Sequence, residues 1–506
     1  MTLTSLSFFV MLCVSLILYY ALRKKQKYIL LLTSLYFFIA ASKGKELYMI
    51  SVLLFVFIVT YGGALLIQFL QKKQKRGAGI FIASFSIIIL VINLIVLKYL
   101  FNMGNVFLSL FHMQKDISFL SFAAPIGLSY YSLSAIGYLL DVYWQSYDAE
   151  KNPGTIALFI CYFPQIVSGP VTRLPQMREQ FDSEHPADYE EFTYGIRRMI
   201  FGYLKKLIIA DRLGEIVQLI YANSTEQTGI MLLFGVICYA FQLYTDFSGC
   251  MDIILGASRL YGIKLPENFD APFFSRTYPE FWRRWHISLG NWFRDYVMYP
   301  ILKTNLLQNI GNASKKVLGK KYGKKVPTYL STIVLWIFIG IWHGGTGYYF
   351  MASGALPGLF LILSDLLESP CSRLIAFLKI KTESAVFHFF QSLRTVCIML
   401  VCWVFVCIEN VRNAFIALKN IFCNLKLSTF KYGWLSLNLP LRRYILLIMC
   451  IIVVIIADYL HYKKKPINTV VDKLPAIIRI ALIYIELAII LLFGWFGKSS
   501  FIYFNF

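Results

Sequence analysis

Residues 315–345 read KKVLGKKYGKKVPTYLSTIVLWIFIGIWHGG, and the change of character inside this stretch decides the fold class. Residues 303–327 hold seven lysines and no acid, whereas 328–342 are almost continuously apolar and end at His343, which has a glycine two residues on either side of Trp342 and follows directly into Gly344. A lysine-rich loop feeding an apolar run marks the cytoplasmic end of a membrane crossing, because basic residues are retained on that side. Further apolar runs cover 3–22, 46–70, 79–101, 348–367, 386–408, 443–460 and 476–493. They lie near the roughly 20 residues that a helix needs to cross a bilayer.

Composition agrees. The 506 residues are 58% hydrophobic and 15% charged, with a mean hydropathy of +0.62, against roughly half apolar and a quarter charged in soluble domains. The expected class is an all-α polytopic protein of a bacterial-type plasma membrane. A net charge of +22 does not point to nucleic acid, because the basic groups at 23–27, 72–76, 315–325 and 463–465 sit between apolar segments and assign the cytoplasmic side. That assignment puts the amino terminus outside, takes 3–22 inward, returns a hairpin over 28–70, and sends 79–101 outward. Arg23, Lys24, Lys25 and Lys27 follow the first apolar run instead of preceding it, so the run is expected to be a retained helix and not a cleaved signal. None of the ten cysteines forms a C-x-x-C pair. Cys238, Cys397, Cys402 and Cys450 lie in apolar surroundings and read as small buried hydrophobes.

The middle, 144–327, differs in kind. Pro164, Pro170, Pro175, Pro266, Pro272, Pro279 and Pro300 break it, which predicts re-entrant and interfacial pieces, tolerated at membrane depth only inside protein or along a wet cavity. Residues 173–198 alternate acids and bases and read as a solvated cytoplasmic face. Without an internal repeat, one domain over 1–506 is expected, with its motifs in 120–360 and helices following over 386–506.

Six histidines occur, at 112, 185, 286, 343, 388 and 461. Eighteen residues separate Lys325 from His343, about 27 Å of helix, which leaves the ring deep in the membrane. An ionisable group there is a functional candidate, although a histidine bonding a carbonyl at a helix break is the competing reading. Residues 281–296, FWRRWHISLGNWFRDY, give one helical arc of Trp282, Trp285, Leu289, Trp292, Phe293 and Tyr296. Arg283, Arg284, Asn291, Arg294 and Asp295 fall on the rest, with His286 at the edge of the aromatic arc. An interfacial helix anchored by aromatics accounts for this pattern; so does a basic face that meets lipid headgroups or a donor phosphate. Asp246, in Tyr244-Thr245-Asp246-Phe247-Ser248-Gly249, and Asp252 need partners if buried. An arginine of 283–294 is the expected partner, and an ion pair is favoured over catalysis. No H-E-x-x-H, G-x-S-x-G, Walker or G-x-G-x-x-G motif and no Asp-x-Asp occurs, so no metal is expected.

Four blocks together resemble the membrane-bound O-acyltransferase family. They are Pro164-Gln165-Ile166-Val167-Ser168-Gly169-Pro170, the run from Tyr244 to Pro272 with Asn268 and Phe269, Phe281 to Pro300, and Gly340 to Gly344. The ending Phe501–Phe506 is similar to that of the family's alginate O-acetylation branch (AlgI), related to the teichoic-acid D-alanylation branch (DltB). Leu356-Pro357-Gly358 replaces a His-Gly common in the AlgI branch, and Trp403–Cys407 lacks that branch's arginine. The resemblance implies a ring of about 11–13 transmembrane helices, with re-entrant and interfacial helices around a central channel. It implies His343 as general base and His286 as a group that orients the donor or polarises its carbonyl. Trp282, Arg283, Trp285, Asn291, Arg294, Asp295, Trp342, Asp246, Ser248 and Asn268 are the candidates for lining the donor and substrate channel. The implied donor is an acyl thioester, acetyl-CoA or the phosphopantetheine of an acyl carrier protein, with no bound cofactor. The implied acceptor is a hydroxyl of an extracytoplasmic polysaccharide, or of an extracytoplasmic partner protein that passes the acyl group on. D-alanyl transfer to teichoic acid, and transport of a polymer or lipid-linked sugar without chemistry, are the alternatives.

Overall fold

The computed structural model describes residues 1–42, 44–100, 124–344, 347–437, 441–497 and 501. The ending over 502–506, Gly345 and His112 lie outside them. The regular elements of the described residues are helices, and their sole β pairing is one antiparallel bridge between Phe269 and Trp285. Among the described residues seven helices are long and apolar enough to cross a membrane: Glu46–Lys72, Arg76–Lys98, Gly229–Arg259, Gly347–Phe377, Ala385–Cys407, Tyr444–Tyr462 and Ala476–Phe493. Two bent pairs raise the number to nine if each pair is one span. The chain is thus an all-α polytopic membrane protein, and its described helices supply fewer crossings than the 11–13 implied by the resemblance.

Two sequence expectations change. The run over 3–22 does not form a crossing alone: Leu6–Ala21 has 16 residues, about 24 Å of helix, and meets Arg23–Ala41 at 115°. The middle segment, expected to be broken, contains the 31-residue helix Gly229–Arg259. Polar residues such as Gln242, Thr245 and Asp246 interrupt it, and its hydropathy of 1.6 is below the 2.5 of Glu46–Lys72 and the 3.0 of Arg76–Lys98, so it does not stand out as a run. The remainder of the middle is mixed: Tyr189–Leu204, Lys205–Ala210 and Asp211–Tyr221 follow one another without a gap and Asn305–Gly323 has 19 residues, whereas the short pieces expected are Pro153–Cys161, Leu174–Asp182 and Tyr278–Arg284. Each of these has a proline in its first turn, where the missing N–H costs nothing.

The chain forms two compact units. The first comprises Met1–Phe201 and Cys250–Pro266. Its helix Tyr189–Leu204 approaches the end of Gly229–Arg259 through glycines: a Cβ on Gly195 would stand 2.8 Å from the Gly256 carbonyl oxygen, and one on Gly256 2.6 Å from that of Gly195. Small residues allow such backbone contact between membrane helices. Asp252 is paired here with Arg198 at 3.0 Å. Some of the acids and bases over 173–198 are paired, with Lys27 on Asp182 at 2.6 Å, Arg178 on Glu150 at 2.6 Å and Arg259 on Glu191 at 2.7 Å.

The second unit comprises Gly202–Gly249 and Glu267–Ile502. Its lysine-rich helix Asn305–Gly323 bends by 88° into Val326–Trp342, and Lys325 at that corner is tied to Asp365 at 2.7 Å. Further along, a Cβ on Gly340 would lie 3.0 Å from the Gly354 Cα, so Val326–Trp342 runs close against the wide turn Met351–Ala355. This contact fixes the height of the Trp342–His343 end.

Candidate functional site

The second unit brings both singled-out histidines to one aromatic cluster. Val326–Trp342 ends with His343 as its C-terminal cap, whose N–H donates to the Ile339 carbonyl at 3.0 Å. Gly344 follows at φ 137°, a conformation open to glycine, and its N–H donates to the Ile341 carbonyl at 3.0 Å. The Trp342 and His343 rings meet edge to face at 4.8 Å, and the other side of the cluster places His286 6.2 Å from Trp342. His286 also meets Phe247 edge to face at 4.8 Å.

The stretch 281–296 is not one helix. Tyr278–Arg284 stops at Trp285, which is extended; His286 turns left-handed at φ 47°, ψ 51°; Ile287–Phe293 then starts afresh. The reason is a pairing that sequence periodicity does not reveal. Residues 268–270 run antiparallel to 284–288, with Asp270 N–H donating to the Arg284 carbonyl at 3.1 Å and Ile287 N–H to the Asn268 carbonyl at 3.1 Å. His286 therefore sits at a sharp break and not at the edge of an aromatic arc. It is 4% exposed. Burial pushes its imidazole well below the ordinary histidine range, and the neighbouring His343 adds to the shift.

The other candidates divide. Trp342 and Asn268 belong to the histidine cluster, both buried. Trp282 meets Trp336, six residues before Trp342, at 4.6 Å. Trp285 is buried, stacked on Phe281 at 5.4 Å and 5.6 Å from Trp403. Ser248 is buried next to Phe247 in sequence. Arg283 is exposed and Asn291 half-buried, while Arg294 lies 3.4 Å from Asp295. Asp246 is held by Lys206 at 2.7 Å, and Lys206 also reaches Asp211 at 2.8 Å, all three side chains being buried. Lys206 reaches inward from a π-helical turn, Lys205–Ala210. Sequence reasoning missed Lys206 and Asp211, although two lysines interrupting the apolar stretch GYLKKLIIA were the available signal. Among the described residues no group of three or more His, Cys, Asp or Glu side chains could hold a metal ion.

Imidazoles set among aromatic rings suit hydroxyl chemistry, because a neutral imidazole can accept a proton near neutral pH and return it.

Comparison with known proteins places these residues in context. The sequence model of the membrane-bound O-acyltransferase family matches residues 49–313, just over half of the chain. That span includes His286 and the first three blocks; His343 lies beyond it. Over 245 residues the chain is 36% identical to the "Probable alginate O-acetylase AlgI" of Azotobacter vinelandii, covering 48% of this chain and 45% of that protein. It is 28% identical over 289 residues to the peptidoglycan O-acetyltransferase of Helicobacter pylori, covering 52% and 51%. It is 32% identical over 246 residues to the teichoic acid D-alanyltransferase of Streptococcus thermophilus, covering 47% and 56%. The chain spans about half the length of the curated relatives it matches.

Proposed function

This chain belongs to the membrane-bound O-acyltransferase family, and from that premise we propose that it transfers a small acyl group, acetyl in the first instance, from a cytoplasmic thioester to an extracytoplasmic hydroxyl. The observation that carries the proposal is the convergence of His286 and His343 on Trp342, at 6.2 Å and 4.8 Å between rings. In this reading His343 takes the proton of the acceptor hydroxyl as its oxygen attacks the thioester carbonyl. The new C–O bond forms, the C–S bond breaks, and His343 returns the proton to the departing thiolate. His286, kept neutral by burial, orients the donor or polarises its carbonyl. General base catalysis of this kind supplies about 10² to 10⁴ in rate, so positioning in a narrow channel lined by Trp282, Trp285 and Trp342 must supply much of the remainder.

The donor is acetyl-CoA or an acyl carrier protein, and the acceptor is a cell-envelope polysaccharide or a partner protein that hands the group on. The relatives' names span alginate, peptidoglycan and teichoic acid, which supports a cell-envelope polymer as the ultimate target. Acetyl is preferred to D-alanyl because the ending Phe501–Phe506 is similar to the alginate branch. The test uses the protein in proteoliposomes with labelled acetyl-CoA, acetyl carrier protein or D-alanyl carrier protein inside and polymer outside. Label on the outer polymer from an acetyl donor supports the reading. Label from the D-alanyl carrier alone moves the chain to the teichoic-acid reaction, and polymer movement without label transfer identifies a transporter.

A further inference from the structure

We propose that Asn268 is the positioning residue for His286, holding it in its left-handed conformation by capping the following helix in its place. This deepens the proposed function and rests on the role given there to His286.

A helix start leaves its first N–H groups without intrahelical partners, and the side chain of the N-cap residue ordinarily satisfies one of them. The N-cap of Ile287–Phe293 is His286, which makes no side-chain cap bond. The bond comes instead from twenty residues upstream: Ser288 N–H donates to Asn268 Oδ1 at 3.0 Å. Asn268 also accepts from Ile287 N–H through its own carbonyl oxygen at 3.1 Å. Two consecutive N–H groups immediately after His286 are thus held by one residue that is fully buried. On the other side of His286, Trp285 is bridged to Phe269, the next residue after Asn268.

His286 lies at φ 47°, ψ 51°, where a side chain with a Cβ crowds the backbone and surrounding bonds must impose the geometry. The Asn268 pairing supplies those bonds. It also relieves the imidazole of the capping duty that its position would otherwise demand, leaving the ring against Phe247 and Trp342. An asparagine is suited to this: its amide oxygen accepts, it carries no charge to bury, and its reach matches the Ser288 N–H.

The experiment is a double-mutant cycle on the full chain in proteoliposomes, with turnover normalised to folded protein. Asn268→Leu removes the acceptor at similar volume, Asn268→Asp keeps an acceptor oxygen, and Asn268→Ser carries the test if the Leu variant does not insert. The expected result is a fall in kcat of roughly 10- to 100-fold for the Leu variant, the scale of a small misplacement of a catalytic group. Donor KM should stay within about twofold, and Asp, which keeps the acceptor oxygen but buries a carboxyl group, should recover part of the loss. Combined with His286→Ala, Asn268→Leu should cost nothing more, because its effect passes through His286. Multiplicative losses in the double variant overturn the proposal, as does a wild-type kcat in both the Leu and Ser variants while His286→Ala is impaired. A fully active His286→Ala protein instead overturns the role of His286 itself, so failure of the underlying reading is distinguishable.

Discussion

Lys206 Nζ lies 2.7 Å from Asp246 Oδ1 and 2.8 Å from Asp211 Oδ1, with none of the three side chains more than 5% exposed. Asp246 precedes Phe247, whose ring meets His286, so this ionic knot anchors the stretch of helix that supports the site. Removing one partner of a buried pair leaves an uncompensated charge and costs about 3 to 5 kcal/mol. Lys206→Met is therefore expected to lower the thermal unfolding temperature in detergent sharply. Neutralising both acids as well, with Lys206→Met, Asp211→Asn and Asp246→Asn together, should recover part of the loss. A single Lys206→Met variant that melts with the wild type would show that the knot contributes nothing.

His343→Gln should abolish acyl transfer while leaving expression, extraction and melting near wild type. Glutamine keeps hydrogen-bonding atoms but accepts no proton at neutral pH. A glycine two residues before Trp342's end of the helix makes the position packing-sensitive, so the folded state must be measured alongside activity. A Gln variant that turns over at the wild-type rate removes the general-base role.

His286→Ala should lower turnover less than His343→Ala, since a polarising or orienting group is partly replaceable and a proton acceptor is not. Truncating a ring packed between Phe247 and Trp342 also opens a cavity, and about 1 to 3 kcal/mol of stability should go with it. Equal loss of activity, with equal unfolding, would assign the segment a structural role only.

The pH response follows from the direction of the His286 shift. Burial lowers its pKa, so the ring stays neutral throughout the range above the usual histidine value of about 6.5 and takes a proton only in more acid solution. An acid limb in the rate profile centred near neutral pH then belongs to another group, and His286→Asn should leave that limb where it is. Disappearance of a neutral-range limb in His286→Asn contradicts the neutral assignment.

Topology can be read with single cysteines and a membrane-impermeant thiol reagent in intact cells. Sites within Lys315–Lys325 and within Arg23–Lys27 should both stay unlabelled, because both basic groups are expected on the cytoplasmic side. Rapid labelling of either reverses the path.

Much of this molecule was legible in its sequence. Apolar runs bounded by lysine clusters determined the class, and the crossings at 46–70, 386–408 and 476–493 recur as Glu46–Lys72, Ala385–Cys407 and Ala476–Phe493. Hydropathy depends on local composition, which is all that a run records. The blocks around His286 and His343 were likewise visible, because rare ionisable residues stand out against an apolar background.

Tertiary structure decided what depends on distant residues. The helix Gly229–Arg259 carries acids that count against it in hydropathy, and Arg198 and Lys206, 54 and 40 residues away along the chain, pair with them. The left-handed turn at His286 looked like mid-helix by periodicity, yet Asn268 and Asp270 hold it open by backbone bonds and by the Asn268 side-chain oxygen, from up to about twenty residues away along the chain. Side-chain spacing reports the neighbours within one turn of a helix; which strand of chain arrives alongside, and with which hydrogen-bonding groups facing, is fixed only when the chain has folded.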